Sequence, residues 1–132
     1  MIEFFIPGLP IAKARPKFAV RNGFARAYTP KKSLEYENLV SLYGRKAITA
    51  PLNGPVALDL LFCMSIPLST PKKHLKTILA SPHIKRPDND NLIKQICDGL
   101  NGIAWVDDAQ VWSISARKLY SLTPGVMVKI TF

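Results

Sequence analysis

The order of elements along these 132 residues predicts a single-domain α+β fold, with two to three helices packed on a small mixed or antiparallel sheet. Three observations carry that expectation. Apolar alternation marks strands at both ends of the chain and near its middle, and helical spacing marks the segments between them. Hydrophobic residues make up 48% of the chain, enough for a packed core. No linker, internal repeat or low-complexity tract interrupts residues 1–132, so one domain should contain them all.

Ile2 to Ile6 reads as the first strand, ended by Pro7, Gly8 and Pro10. Lys13, Arg15, Lys17, Arg21 and Arg26 follow, interleaved with Phe18, Phe24 and Tyr28, and the Asn22-Gly23 pair suggests a hairpin turn. Five cations without an acid make this stretch a candidate phosphate-contacting surface, against the plainer reading of a solvated loop. Thr29 and Pro30 suit an N-cap and first helical turn. The helix they open runs through SLEYENLVSLYGRKAI, with Leu34, Leu39, Leu42 and Tyr43 as candidate packing residues. Pro51 to Pro55 breaks the chain, and Val56 to Met64 reads as a buried strand. Asp59 within it is a further candidate for an acidic site, but reads first as a solvent-facing strand residue. Leu75, Ile78 and Leu79 suggest a short helix in a segment carrying Lys72, Lys73 and Lys76. Val111 to Leu119 and Val126 to Phe132 complete the pattern as two strands joined at Thr123, Pro124 and Gly125.

A net charge of +9 points to a polyanionic partner, nucleic acid or an acidic membrane surface. No apolar run approaches the ~20 residues needed to span a bilayer, and the N-terminus lacks a signal-peptide layout, so a cytoplasmic protein is expected. Cys63 and Cys97 sit among apolar neighbours and read as small buried hydrophobes rather than a disulfide or a catalytic thiol. His74 and His83 are too isolated for a zinc site. Neither a glycine-rich phosphate loop nor a nucleophile elbow is present, which leaves nucleotide hydrolysis and acyl transfer without support.

The segment KRPDNDNLIKQICDGLNGIAWVDD, residues 85–108, breaks the basic trend. It holds Asp88, Asp90, Asp98, Asp107 and Asp108, five of the nine acidic residues in the chain. Two like charges ~4 Å apart repel by roughly 4 kcal/mol at an effective dielectric near 20, and a divalent cation is the usual offset. A helix should start among Asp88, Asn89, Asp90 and Asn91 and stop at Asn101-Gly102. Ile93, Ile96, Cys97 and Leu100 would form its buried stripe, with Asp90, Lys94 and Asp98 on another face. Each residue also has a plain explanation: helix caps at Asp88 and Asp90, a surface ion pair at Lys94, an acidic turn at Asp107 and Asp108. Asp98 fits worst, since an acid in the last turn opposes the helix dipole. A calcium loop is excluded, because an EF-hand frame begun at Asp88 puts Ile93 where Gly is required and Gly99 where Glu is required.

The string R-P-D-N-D-N-L-I-K, then D-G-L-N-G and D-D-A-Q, over about residues 85–111, resembles the signature of RusA-type Holliday junction resolvases. The resemblance implies a small homodimeric endonuclease that resolves four-way DNA junctions, of a kind often encoded by phages and prophages. It implies Mg2+ as cofactor, with Mn2+ as a substitute, held by Asp88, Asp90 and Asp108, with Asp107 as a further candidate. Lys94 would be the essential basic residue, and Asp98 matches a recurrent Asp of unassigned duty. Lys85 and Arg86, next to the acids, join Lys13, Arg15, Lys17, Arg21, Arg26, Lys72 and Lys73 as candidate DNA contacts. The alternative from another class is a non-enzymatic basic nucleic-acid-binding protein, in which the acids serve only as caps and counter-charges.

Overall fold

A computed structural model describes residues 1–132. Four strands, β1 (Ile2–Pro7), β4 (Val56–Ser65), β5 (Val111–Ser121) and β6 (Gly125–Thr131), form one mixed sheet in the order β1-β6-β4-β5. β6 runs antiparallel to both β1 and β4, whereas β5 lies parallel to β4. The two-residue period of β4 places Val56, Leu58, Leu60, Phe62 and Met64 on the buried face, with Asp59 on the opposite one as expected. Val126, Val128 and Ile130 of β6 continue that face. Helices α1 (Lys31–Ala47) and α3 (Asn89–Leu100) contribute Tyr36, Val40, Leu92, Ile96 and Leu100 to the same core. The short helix α2 (Leu75–Ile78) follows a single turn at Lys72–His74. No helix is long and apolar enough to cross a membrane.

β2 (Lys17–Arg21) and β3 (Phe24–Tyr28) form a separate antiparallel hairpin around Asn22-Gly23. Both turn residues have positive φ, +55° and +79°, as such a two-residue connection requires. Every residue of both strands is exposed.

The helix seams differ from the apolar stripes expected from sequence. In α1 the buried residues are Ser33, Tyr36, Val40 and Gly44, while Leu34 and Leu42 remain 46% and 47% exposed and Leu39 and Tyr43 line the core's edge. In α3 the seam is Leu92, Gln95, Ile96, Gly99 and Leu100, with Ile93 and Cys97 half-buried. Close approach explains the rotation. A Cβ on Gly99 would stand 2.6 Å from Val40 Cγ1, and one on Gly44 2.6 Å from Leu100 Cδ2. Small residues therefore mark where the helices touch, and Ser41 Oγ donates to the Gly99 carbonyl at 2.7 Å across the contact. Buried Gln95 donates to the Ser33 carbonyl at 2.8 Å. Nor does Thr29 cap α1: Pro30 occupies the cap position and no side chain bonds the first turn. Gly99→Ala should cost roughly 1–3 kcal/mol, since the added methyl overpacks the seam. A thermal melt checks this, and an unchanged midpoint would show that α1 shifts freely.

Candidate active site

The acidic stretch folds into two groups, one at each end of α3. At the N-terminal end, Asp88 is the cap residue, with extended backbone, yet its carboxylate makes no capping hydrogen bond. The bland explanation of that residue as a helix cap is thereby weakened. Asp90 lies in the first turn and is exposed. The partial positive charge of the helix start favours both carboxylates. Arg15, Arg86, Pro87, Asp88 and Asn91 line an open recess of about 560 Å3. Two contacts build its walls. Lys118 of β5 donates from Nζ to the Lys85 and Pro87 carbonyls at 2.8 Å each, holding the approach to α3. The Lys13 amide donates to the Asn91 carbonyl at 3.1 Å, which lays the segment before the hairpin along α3.

Lys13 departs from its expected role as a phosphate contact. Its ammonium, only 18% exposed, sits 3.2 Å from Asp98 and 3.5 Å from Glu37, so its charge is engaged within the protein. Asp98 is also 3.8 Å from Lys94, the i,i+4 pair that forms instead of one with Asp90. Two cations thus offset the unfavourable position of Asp98 against the dipole. Lys94 is 64% exposed, so this pair contributes little stability and leaves its ammonium free to reach outward. Arg15, Lys17, Arg21, Arg26, Lys72, Lys73, Lys85 and Arg86 are all exposed.

At the other end, Asn101 and Gly102 stop the helix as anticipated, with Gly102 at φ +78°. The chain then buries Ala104 and Trp105 completely. Trp105 Nε1 donates to Asp108 Oδ1 at 2.7 Å, and the Asp108 amide donates to Asn101 Oδ1 at 3.1 Å. The adjacent Asp107 is used differently. It forms a reciprocal capping box with Gln110, whose amide also donates to the Leu52 and Gly54 carbonyls at 2.8 and 3.0 Å. The Asp107 amide donates to Gln110 Oε1 at 2.9 Å, whereas Asp108 is oriented through Oδ1 and keeps Oδ2 uncommitted. Burial pushes the nearby Cys97 thiol up to about 11, with Asp108 and Asp98 adding to the shift. The roles of Trp105, Asn101, Gln110 and Lys118 were not legible beforehand. A Trp two residues ahead of an acid pair, in the short apolar connection Ile103-Ala104-Trp105-Val106, was the available signal.

These two groups do not meet within a protomer. From Asp88 to Asn101 the helix climbs about 20 Å at ~1.5 Å per residue. β5 gives a second ruler: it begins beside the Asp108 turn, and Lys118 on it reaches Pro87, a strand length of roughly 23 Å from Val111. Consistently, no three His, Cys, Asp or Glu side chains lie close enough to hold one ion. The donor chemistry suits a hard cation, because Asp88, Asp90 and Asp108 offer carboxylate oxygens and Mg2+ keeps several waters. Their placement in one protomer does not.

Comparison with known proteins adds the family. The model of the endodeoxyribonuclease RusA family matches residues 7–131. A Bacillus subtilis (strain 168) protein described as "Uncharacterized protein YqaN" is 32% identical over 134 aligned residues, covering 98% of this chain and 94% of that protein. With nearly the whole domain matched, the acids at the two ends of α3 lie in an enzyme fold rather than in a non-catalytic basic binder, and the chain belongs to the RusA family of metal-dependent endodeoxyribonucleases.

Proposed function

We propose that the protein is a Mg2+-dependent homodimer that resolves four-way DNA junctions by paired phosphodiester hydrolysis in recombination and repair. The observation that carries this reading is the family match over residues 7–131. Resolution requires nicks in opposing strands, and a two-fold dimer offers two equivalent sites. In this reading Asp88 and Asp90 of one protomer and Asp108 of its partner hold the cation, which answers the ~20 Å that α3 puts between them. Trp112 and Ile114, 73% and 43% exposed on the strand leaving the Asp108 turn, offer an apolar surface for the second copy.

When bound, Mg2+ would lower the pKa of a bound water and neutralise charge on the phosphate. The chain's own residues do the rest. Trp105 fixes the Asp108 carboxylate in one orientation. Lys94 swings from Asp98 to the scissile phosphate as a point charge. Arg15 and Arg86, which line the recess with Asp88, and the exposed Lys85 hold flanking phosphates. Asp107 stays with its capping box.

A substrate panel tests the proposal. Four-way junctions, flaps and linear duplex are incubated with Mg2+ or EDTA, and products are resolved on denaturing gels. Symmetric nicks in junctions alone, and only with Mg2+, are the expected result. Flaps cut as fast as junctions would assign a different substrate class.

A further inference from the structure

The β2–β3 hairpin stands apart from the main sheet with every residue exposed. A two-stranded ribbon is marginal by itself in water. Its cross-strand register sorts the side chains unusually. Opposed residues project to the same side of an antiparallel pair, so Lys17 stands with Tyr28, Ala19 with Arg26, and Arg21 with Phe24 on one face. The other face holds Phe18 with Ala27 and Val20 with Ala25, and carries no charge. One face therefore interleaves three cations with two aromatic rings, Phe24 at 72% and Tyr28 at 48% exposure. Arg21, Asn22, Phe24 and Arg26 converge around an open recess of about 450 Å3, within the ~300–1,000 Å3 of small-ligand sites.

We propose that this face is a stacking platform for unpaired bases at the branch point, with Phe24 and Tyr28 receiving bases while Lys17, Arg21 and Arg26 hold the connecting phosphates. It rests on the junction-binding reading above and names what would give that reading its preference for branched over linear DNA. Cations alone would grip any polyanion; the aromatic rings need bases whose faces are open. Phe24 and Tyr28 are four strand residues apart, about 13 Å. Stacked duplex bases ~3.4 Å apart present no faces at that spacing, but bases splayed at a branch do. Charge complementarity to phosphate argues for DNA on this face, on a protein of net charge +9.

The test uses the full-length protein in EDTA, so that binding is read without cleavage. Four-way junctions carrying 2-aminopurine at the branch report stacking by fluorescence quenching, and Kd is measured in parallel for junction and linear duplex. Phe24→Ala with Tyr28→Ala should weaken junction binding about tenfold, abolish the protein-induced quenching, and leave duplex binding and the salt slope as in the wild type. Tyr28→Phe with Phe24→Tyr keeps both rings and should restore junction affinity and quenching. A melting curve matching the wild type confirms an intact core, to which the hairpin contributes no residue. Equal losses on junction and duplex would overturn the proposal in favour of a ribbon lying in a groove, as would an unchanged junction Kd. Failure of the wild type to nick junctions with Mg2+ would sink the resolvase reading separately, since the platform is scored by binding alone.

Discussion

Asp88→Asn and Asp108→Asn should each lower junction cleavage by roughly 10²–10³-fold or more while leaving junction binding in EDTA intact. Each substitution removes one anionic oxygen donor and keeps the side chain's size, so the fold has no reason to change. The informative experiment is to mix the two inactive proteins and let subunits exchange. If a site takes Asp88 from one protomer and Asp108 from the other, a mixed dimer places both substitutions in one site and leaves its second site fully native. About half of the dimers would then carry one working site, and roughly a quarter of the wild-type nicking rate should return, as single nicks rather than paired cuts. A site confined to one protomer predicts no recovery at all. That result would return the ~20 Å separation along α3 to be explained by a rearrangement of the chain itself.

Trp105→Ala should produce the largest loss of stability. Trp105 is fully buried at the junction between the end of α3 and the turn into β5. Truncation leaves a cavity there and typically costs 3–5 kcal/mol, a fall of roughly 10–20 °C in melting temperature for a domain of this size. Its indole also donates the 2.7 Å bond to Asp108, so the substitution frees the carboxylate that the proposed site would need oriented. Trp105→Phe separates the two roles. It keeps most of the packing and loses the donor, so it should melt near the wild type yet cleave roughly tenfold more slowly. If Trp105→Phe cleaves at the normal rate, the indole serves packing alone.

The boundaries of α3 could be read from residue chemistry, because Pro87, the Asp and Asn run and Asn101-Gly102 are local signals. So could the hairpin, from Asn22-Gly23. The buried faces could not. Hydropathy favoured Leu34, Leu42, Ile93 and Cys97, whereas contact between α1 and α3 is set by what Gly44 and Gly99 lack. Packing distance carries no apolar signature of its own. The identity of the acidic residues was likewise evident, and their convergence was not. A motif collapses the intervening residues into spacing, but a twelve-residue helix between Asp88 and Asn101 is a rod about 18 Å long. Asp107 and Asp108 are identical in type, and only the Gln110 cap and the Trp105 bond distinguish them.

That rod has a mechanical consequence. With Asp88 at one tip and Asp108 near the other, α3 would act, in the proposed dimer, as a caliper between two catalytic centres, each tip serving a different one. β5 runs from the Asp108 turn to Lys118, which clamps the Pro87 carbonyl at the start of α3. The gap between the two cut phosphates would then be gauged by helix rise rather than by loop conformation, so that opposing strands are severed at matched positions even while the junction's arms flex.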